Sequence, residues 1–372
     1  KIERLSKNVL DSEFFTILME GKEDGLGLPG GYALVAEDKK EVQRRMEKDP
    51  YFVRTYAKNY LYIGKHISTK LWVGDYKDEK RKTFEELAEA ARGIKRIGIL
   101  RADVDNLGST FVNGFNSKKN GNRYATISRT ATLSRELSLF FKYYINDILK
   151  HGQYDLNGEV KTNARKATII YAGGDDVFVA GAWDEVIEFA IDLRRNFEKY
   201  TQGTLTLSAG IGIYEASYPV RAIAGETGEM EDRSKRLPGK NAVTIFEDGV
   251  FHEIAGKDEK ISDGTYSWKE FEQEVIEEKY RTIRAFLETS EDRGMSFLYH
   301  VLELIRNRKE KVNFTRFIYL LARLEPTDGK EEYKKFSEKM MKWIQSEKDC
   351  RQLKTAINLY SYMERDRKVE GQ

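Results

Sequence analysis

Hydrophobic and polar positions follow three rhythms along these 372 residues. Over residues 1–85 the apolar runs are short and mixed, at 14–19, 32–36, 60–63 and 71–73. Leu28-Pro29-Gly30-Gly31 marks a turn, and 39–48 a short charged helix. Between 86 and 262, strand and helix patterns take turns. Residues 94–101 read as a strand. The stretch 128–150 places Leu133, Leu137, Phe140, Phe141, Tyr144, Ile145 and Ile148 on one helical face. ATIIYAGGDDVFVAG, 167–181, is two β-prone runs around Gly173-Gly174-Asp175-Asp176, and therefore a hairpin whose glycines supply backbone freedom at the turn. A helix follows over 183–200. Leu205, Leu207, Ala209, Ile211 and Ile213 alternate strictly, as a strand does, and a helix near 219–235 and a strand at 242–246 close the zone. From 263 to 372 the pattern is helical throughout. Stripes over 266–287, 295–308, 314–324, 331–345 and 350–366, joined by short loops, predict an antiparallel bundle.

The first six elements of the middle zone run β-α-β-β-α-β, the order of a ferredoxin-like fold. The fold class is therefore α+β: a ferredoxin-like palm at 86–262, preceded by a small mixed segment at 1–85 and followed by an all-α bundle at 263–372. Right-handed crossovers make the first two strands parallel, with the third between them and antiparallel to both. The end of the first strand then shares one rim with the hairpin turn. That rim collects Asp103 and Asp105 from ADVDNLG and faces them with Asp175 and Asp176.

Composition narrows the classes only a little. Sixty-three Lys and Arg against 61 Asp and Glu leave a net charge of +2, which singles out neither nucleic acid nor membrane as partner. One cysteine, Cys350, excludes an intramolecular disulfide and a cysteine-rich zinc site and suits a reducing, cytoplasmic setting. No apolar run reaches the ~20 residues of a membrane span. The first residue is Lys1, and the chain reads as the C-terminal portion of a larger polypeptide. Its four histidines are scattered, and no His-Asp dipeptide occurs.

Adjacent carboxylates repel unless a cation lies between them. Hard divalent cations take oxygen ligands, and two of them clamp both ends of an in-line phosphoryl displacement. Asp103, Asp175 and Asp176, helped by the Val104 carbonyl, supply that ligand chemistry for Mg²⁺ or Mn²⁺ in a palm-type nucleotidyl-transfer site. Asn106, Gly108 and Ser109 turn the chain with little bulk, so their backbone N–H groups can approach a triphosphate, as can the turn at Gly173 and Gly174. Lys235 and Lys240 in SKRLPGKN are the cations placed to neutralise phosphate. Taken alone, a Gly-Gly-Asp-Asp run needs no more than a turn, and a lysine run no more than a solvated face. Their meeting at one rim favours a metal–nucleotide site.

ADVDNLG, YAGGDDVFVAGAWDEV and SKRLPGKN together resemble the large palm-polymerase subunit of type III-A (Csm) CRISPR effector complexes, and WVGDY and WKEF on either side resemble the same family. The resemblance implies that the palm converts ATP to 3′–5′ cyclic oligoadenylates when the complex binds target RNA. It also implies partners: a small helical subunit on the C-terminal bundle, a guide-RNA-capping subunit, and guide and target RNA through the complex. Diguanylate cyclases share the palm, but they place Glu-Glu-Phe where this chain has Asp175-Asp176-Val177, a guanine-reading Asn where it has Phe111, and a phosphate-binding Lys where it has Gly108. Two alternatives stand beside the oligoadenylate reading: a catalytically silent palm scaffold, and a GTP-using cyclase.

Overall fold

The computed structural model describes residues 12–19, 25–116, 121, 123–159, 162–246, 251–253, 260–262, 264–288, 294–306, 311–326 and 330–365. They fall into two compact units, 1–74 with 142–144, and 75–141 with 145–372. The first unit is a five-stranded sheet of β1 (Phe14–Met19), β2 (Leu26–Leu28), β3 (Tyr32–Glu37), β4 (Phe52–Lys58) and β5 (Thr69–Leu71), in the order β2-β3-β1-β4-β5. Its helix has the expected bounds, Lys39–Lys48, and starts where the Asp38 side chain accepts from the Glu41 amide. Val42 and Met46 of that helix close a small core with Phe14 and Ala57.

The second unit is built on a six-stranded sheet. Its strands are β6 (Ile97–Val104), β7 (Ala167–Ala172), β8 (Asp176–Ala182), β9 (Leu207–Tyr214) and β10 (Ala242–Ile245). After a separate two-stranded sheet of β11 (Phe251–Glu253) and β12 (Lys260–Ser262), β13 (Thr265–Ser267) completes it. The order is β13-β10-β9-β6-β8-β7. The four consecutive strands β9-β6-β8-β7 are the expected ferredoxin-like set, with β8 between β6 and β7 and antiparallel to both, and β9 antiparallel to β6. The helix Val220–Arg236 carries the chain to β10, parallel to β9, and β13 pairs antiparallel on the outer edge.

Alternation along β6 decides what each face does. Leu100, Ala102 and Val104 enter the main core with Phe140, Phe141, Trp183, Val186 and Phe189 from the two long helices. These helices are Ile127–Leu139, continuing through a wider turn at Phe140–Tyr144 into Ile145–Lys150, and Trp183–Tyr200. Ile97 and Ile99 point the other way, against Leu87, Ala88, Ala180, Tyr214 and Ile223. On that second face β6 turns polar toward its end, at Arg101 and Asp103.

A buried ionic cluster ties the Trp183–Tyr200 helix to its surroundings. Arg92 pairs with Asp155, Asp184 and Glu188, and Arg165 with Glu185, Glu188 and Asp192. The same carboxylates accept backbone amides from Gln153, Tyr154 and Leu156, so the chain leading into β7 is clamped to the helix.

The C-terminal region is helical as expected, with Glu270–Tyr280 in wide π-type turns followed by Arg281–Leu287, Gly294–Arg306, Lys311–Ala322, Lys330–Gln345 and Glu347–Glu364. The expected ends at 307–308 and 366 lie outside the described residues. One boundary is corrected: the helix predicted from 266 starts later, because Thr265–Ser267 hydrogen-bonds to β10 as a strand. The helices share the sheet's core. Trp268 is fully buried and donates from Nε1 to the Leu207 carbonyl of β9 at 2.9 Å, and the Tyr266 hydroxyl meets that of Thr355 at 2.8 Å. Phe317 and Trp343 are also buried, whereas Tyr299 is half exposed. Among the described residues no helix is long and apolar enough to cross a membrane.

Candidate functional site

Antiparallel register places Asp103 of β6 directly opposite Asp176 of β8. Such cross-strand partners project to the same face with Cβ atoms about 5 Å apart. Asp175 sits in the turn before β8, where its carbonyl accepts from the Val104 amide at 3.2 Å, so strand end and hairpin are tied together. The three carboxylates line a pocket of about 730 Å³, together with Arg101, Tyr171, Phe178, Glu231 and Lys235.

Gly173 is needed here for space rather than for an unusual φ, since neither glycine of the turn lies in the left-handed region. A Cβ at Gly173 would stand 2.4 Å from Asp176 Oδ1 and 2.4 Å from the Tyr171 hydroxyl, whereas one at Gly174 meets nothing closer than Ser138 Oγ at 3.6 Å. The expectation that both glycines serve the turn's dihedrals is thus replaced: the first makes room for a carboxylate, and the second is sterically free.

Asp105 does not join the rim. β6 ends at Val104, and Asn106 adopts a left-handed conformation (φ 55°), which breaks the strand alternation. Asp105 is consequently buried. Its Oδ2 accepts from Thr206 Oγ1 at 2.8 Å and from the Asn241 amide at 2.9 Å, and it anchors the turn that carries Lys240. Its Oδ1 has no hydrogen-bond partner. Asn106, Gly108 and Ser109 are exposed at the start of a short helix, Leu107–Asn113, which the sequence pattern did not predict. They lie just beyond the end of β6, outside the pocket lining. Lys240 is likewise outside it, in the left-handed region at φ 53°.

Lys235 is where the structure adds most. Its ammonium hydrogen-bonds Asp103 and, at 2.6 Å, Glu231 one helical turn earlier. Glu231 is buried and also faces Arg101 Nε at 3.3 Å. Sequence reasoning missed Glu231; its i,i+4 spacing from Lys235 was the available signal. Burial works to lower the Lys235 pKa, but the bonds to Asp103 and Glu231 outweigh it and raise the value. Asp175 is raised from the usual carboxylate range, first by burial and then by the charges of Asp103 and Asp176, with Lys235 pulling the other way. Tyr171 donates to Asp176, and that neighbouring charge raises the phenol's own pKa.

Among the described residues, no three His, Cys, Asp or Glu side chains converge closely enough to hold a metal ion by themselves. Lys235 pairs with Asp103, and Tyr171 donates to Asp176. The donor chemistry nevertheless fits a hard divalent cation. The carboxylates of Asp103, Asp175 and Asp176 offer it oxygen donors, and burial first, then the charges of Asp103 and Asp176, raise the Asp175 pKa.

Against known proteins, the family model for the second palm domain of Cas10/Cmr2 matches residues 96–244. The model for the second helical domain of the Cmr2 subunit of the CRISPR RNA silencing complex matches 284–366. A Mycobacterium tuberculosis protein, CRISPR system single-strand-specific deoxyribonuclease Cas10/Csm1 (subtype III-A), is 42% identical over 364 residues, 97% of this chain and 42% of that protein. The chain belongs to the Cas10/Csm1 family. The Enterococcus italicus Cas10/Csm1 is 35% identical over 97% of this chain and 43% of its own length, so the chain spans about two-fifths of these relatives. Among solved structures, the Csm1–Csm4 subcomplex of a type III-A system matches with TM-score 0.68 and 25% identity, covering 97% of this chain and 49% of that one. A Csm1–Csm4 cassette in complex with cA4 matches with TM-score 0.68 and 26% identity, over 95% and 48%. One in complex with one ATP matches with TM-score 0.62 and 25% identity, over 94% and 48%. The Cas10/Csm1 palm is thus the fold on which the acidic rim sits.

Proposed function

We propose that the rim at Asp103, Asp175 and Asp176 is a metal-dependent nucleotidyl-transfer site that makes 3′–5′ linked cyclic oligoadenylates from ATP within an RNA-guided type III-A complex. The observation that carries this reading is the register of Asp103 against Asp176, with Asp175 beside them in one pocket that also holds a lysine. The similar Csm1–Csm4 cassettes with ATP and with cA4 support the substrate class.

In this reading Asp103, Asp175 and Asp176, with the Val104 carbonyl, hold Mg²⁺ or Mn²⁺. A bound ion there supplies charge stabilisation to the reacting phosphate. Lys235 and Lys240 neutralise the triphosphate, and backbone N–H groups around Asn106, Gly108, Ser109, Gly173 and Gly174 approach it. The 3′-oxygen of one ATP bonds to the α-phosphorus of another, the bond to the β-phosphate oxygen breaks, and pyrophosphate leaves while the hydroxyl proton passes to water. The protein's share is positioning and electrostatics. Partners, on the same reading, are a small helical subunit on the C-terminal helices, a guide-RNA-capping subunit, and guide and target RNA, in the cytoplasm. A silent scaffold is the second reading, favoured by the pairing of Lys235 with Asp103.

Competition binding to the full chain in Mn²⁺ tests the proposal. ATP should bind in preference to GTP, and Asp175→Asn should lose the metal-dependent part of that binding. Tight GTP with weak ATP binding would move the reading to a GTP-using cyclase, and no binding of either would favour the scaffold.

A further inference from the structure

Three acids at a half-buried rim need a cation, and the structure supplies one from its own chain. The Lys235 ammonium bridges Asp103 and Glu231, with Lys235 and Asp103 each a quarter exposed and Glu231 almost fully enclosed. The two seats differ. Glu231 shares the helix Val220–Arg236 with Lys235, one turn away, and is steadied by Arg101, so it is a permanent tether. Asp103 lies on β6, across the pocket mouth, and is the carboxylate that a metal would also claim. A lysine's flexible four-carbon stem can carry its charge several ångströms without moving the helix.

We infer, resting on the metal–nucleotide reading of this rim, that Lys235 is an exchangeable counter-ion that competes with the divalent cation for Asp103 and yields to it when a triphosphate draws the ammonium away. Glu231 is the positioning residue in this exchange. It keeps the lysine beside the pocket after Asp103 is given up, so that the freed donors face phosphate. The rim is then partly neutralised while empty and takes metal and nucleotide together, because each weakens the pairing that excludes the other.

The test is Mn²⁺ binding to the full chain without nucleotide, read from the electron paramagnetic resonance signal of free Mn²⁺, with melting curves to confirm folding. Lys235→Gln should tighten Mn²⁺ roughly fivefold, the scale of a partly exposed ion pair. Lys235→Arg, which keeps the competing charge, should stay near wild type. Glu231→Gln should weaken Mn²⁺, since the lysine then has Asp103 alone. Equal affinity for wild type and Lys235→Gln, at a site that Asp175→Asn removes, overturns the exchange while leaving the metal site standing. No saturable binding in any variant overturns the metal-site reading itself and the exchange with it.

Discussion

At the scale of single residues, the hairpin turn separates two glycines that look equivalent in the sequence. Gly173 lies against Asp176 and Tyr171, so a methyl group there must push the carboxylate or the phenol aside, while one at Gly174 meets only an ordinary contact with Ser138. Gly173→Ala should therefore abolish most nucleotide-dependent activity with little loss of melting temperature, and Gly174→Ala should be close to neutral in both. Product yield and thermal melts of the two variants, measured side by side, check this; equal losses would mean that the turn serves only its own backbone. The carboxylates themselves were legible, since a strand ending in Asp103 and a Gly-Gly-Asp-Asp turn announce acids at loop tips. What no sequence pattern carried was the partner of each. Asp105 looks like a second rim acid until Asn106 turns left-handed and buries it under Thr206 and Asn241. Lys235 looks like a free phosphate ligand until the helix Val220–Arg236 lays it on Asp103.

At the scale of elements, the β-α-β-β-α-β order could be read because its strands alternate and its long helices carry wide apolar stripes. Among the elements that the pattern did not predict, two have a clear physical reason. Leu107–Asn113 contains Gly108, Thr110, Val112 and Asn113, all modest helix formers. β13 is three residues long, and its pairing with β10 overrides a local pattern that continues the helix behind it. The Trp183–Tyr200 helix is the element with the clearest pH signature. Burial raises the Glu188 pKa from 4.5 to about 7, against the pull of Arg92 and Arg165, with Glu185 adding to the rise. The folded state therefore holds a proton that the unfolded chain releases near 4.5. That contribution to stability is complete below 4.5 and is lost as pH rises through about 7. The melting temperature of the wild type should fall across this window more steeply than that of Glu188→Gln, whose amide cannot ionise. Parallel profiles from calorimetry at a series of pH values would show that Glu188 is ionised throughout.

At the scale of the molecule, three separately folding parts with limits at 85/86 and 262/263 remain a proposal, and the shared core bears on how to test it. Trp268 and Tyr266 join the C-terminal helices to β9 and to the Glu347–Glu364 helix, so removing residues 264–372 should destabilise the palm rather than leave its acids intact. Trp268→Ala alone should cost about 3–5 kcal/mol in denaturant unfolding, as loss of a fully buried large side chain does. Docking of a small subunit is better tested on the surface. Tyr299 and Tyr319 are half or more exposed, and changing both to Asp should reduce recovery of that subunit in a pull-down without shifting the melt. Unchanged recovery would move the docking surface elsewhere. The central claim, that the acidic rim turns ATP into oligoadenylates, is met most directly by mass spectrometry. The RNA-loaded complex containing this chain is incubated with ATP and Mg²⁺ or Mn²⁺, beside the same complex carrying Asp175→Ala and Asp176→Ala. Oligoadenylates, cyclic among them, should form with the wild type and vanish with the double variant; the same products from both, or none from an intact wild-type complex, would contradict the account.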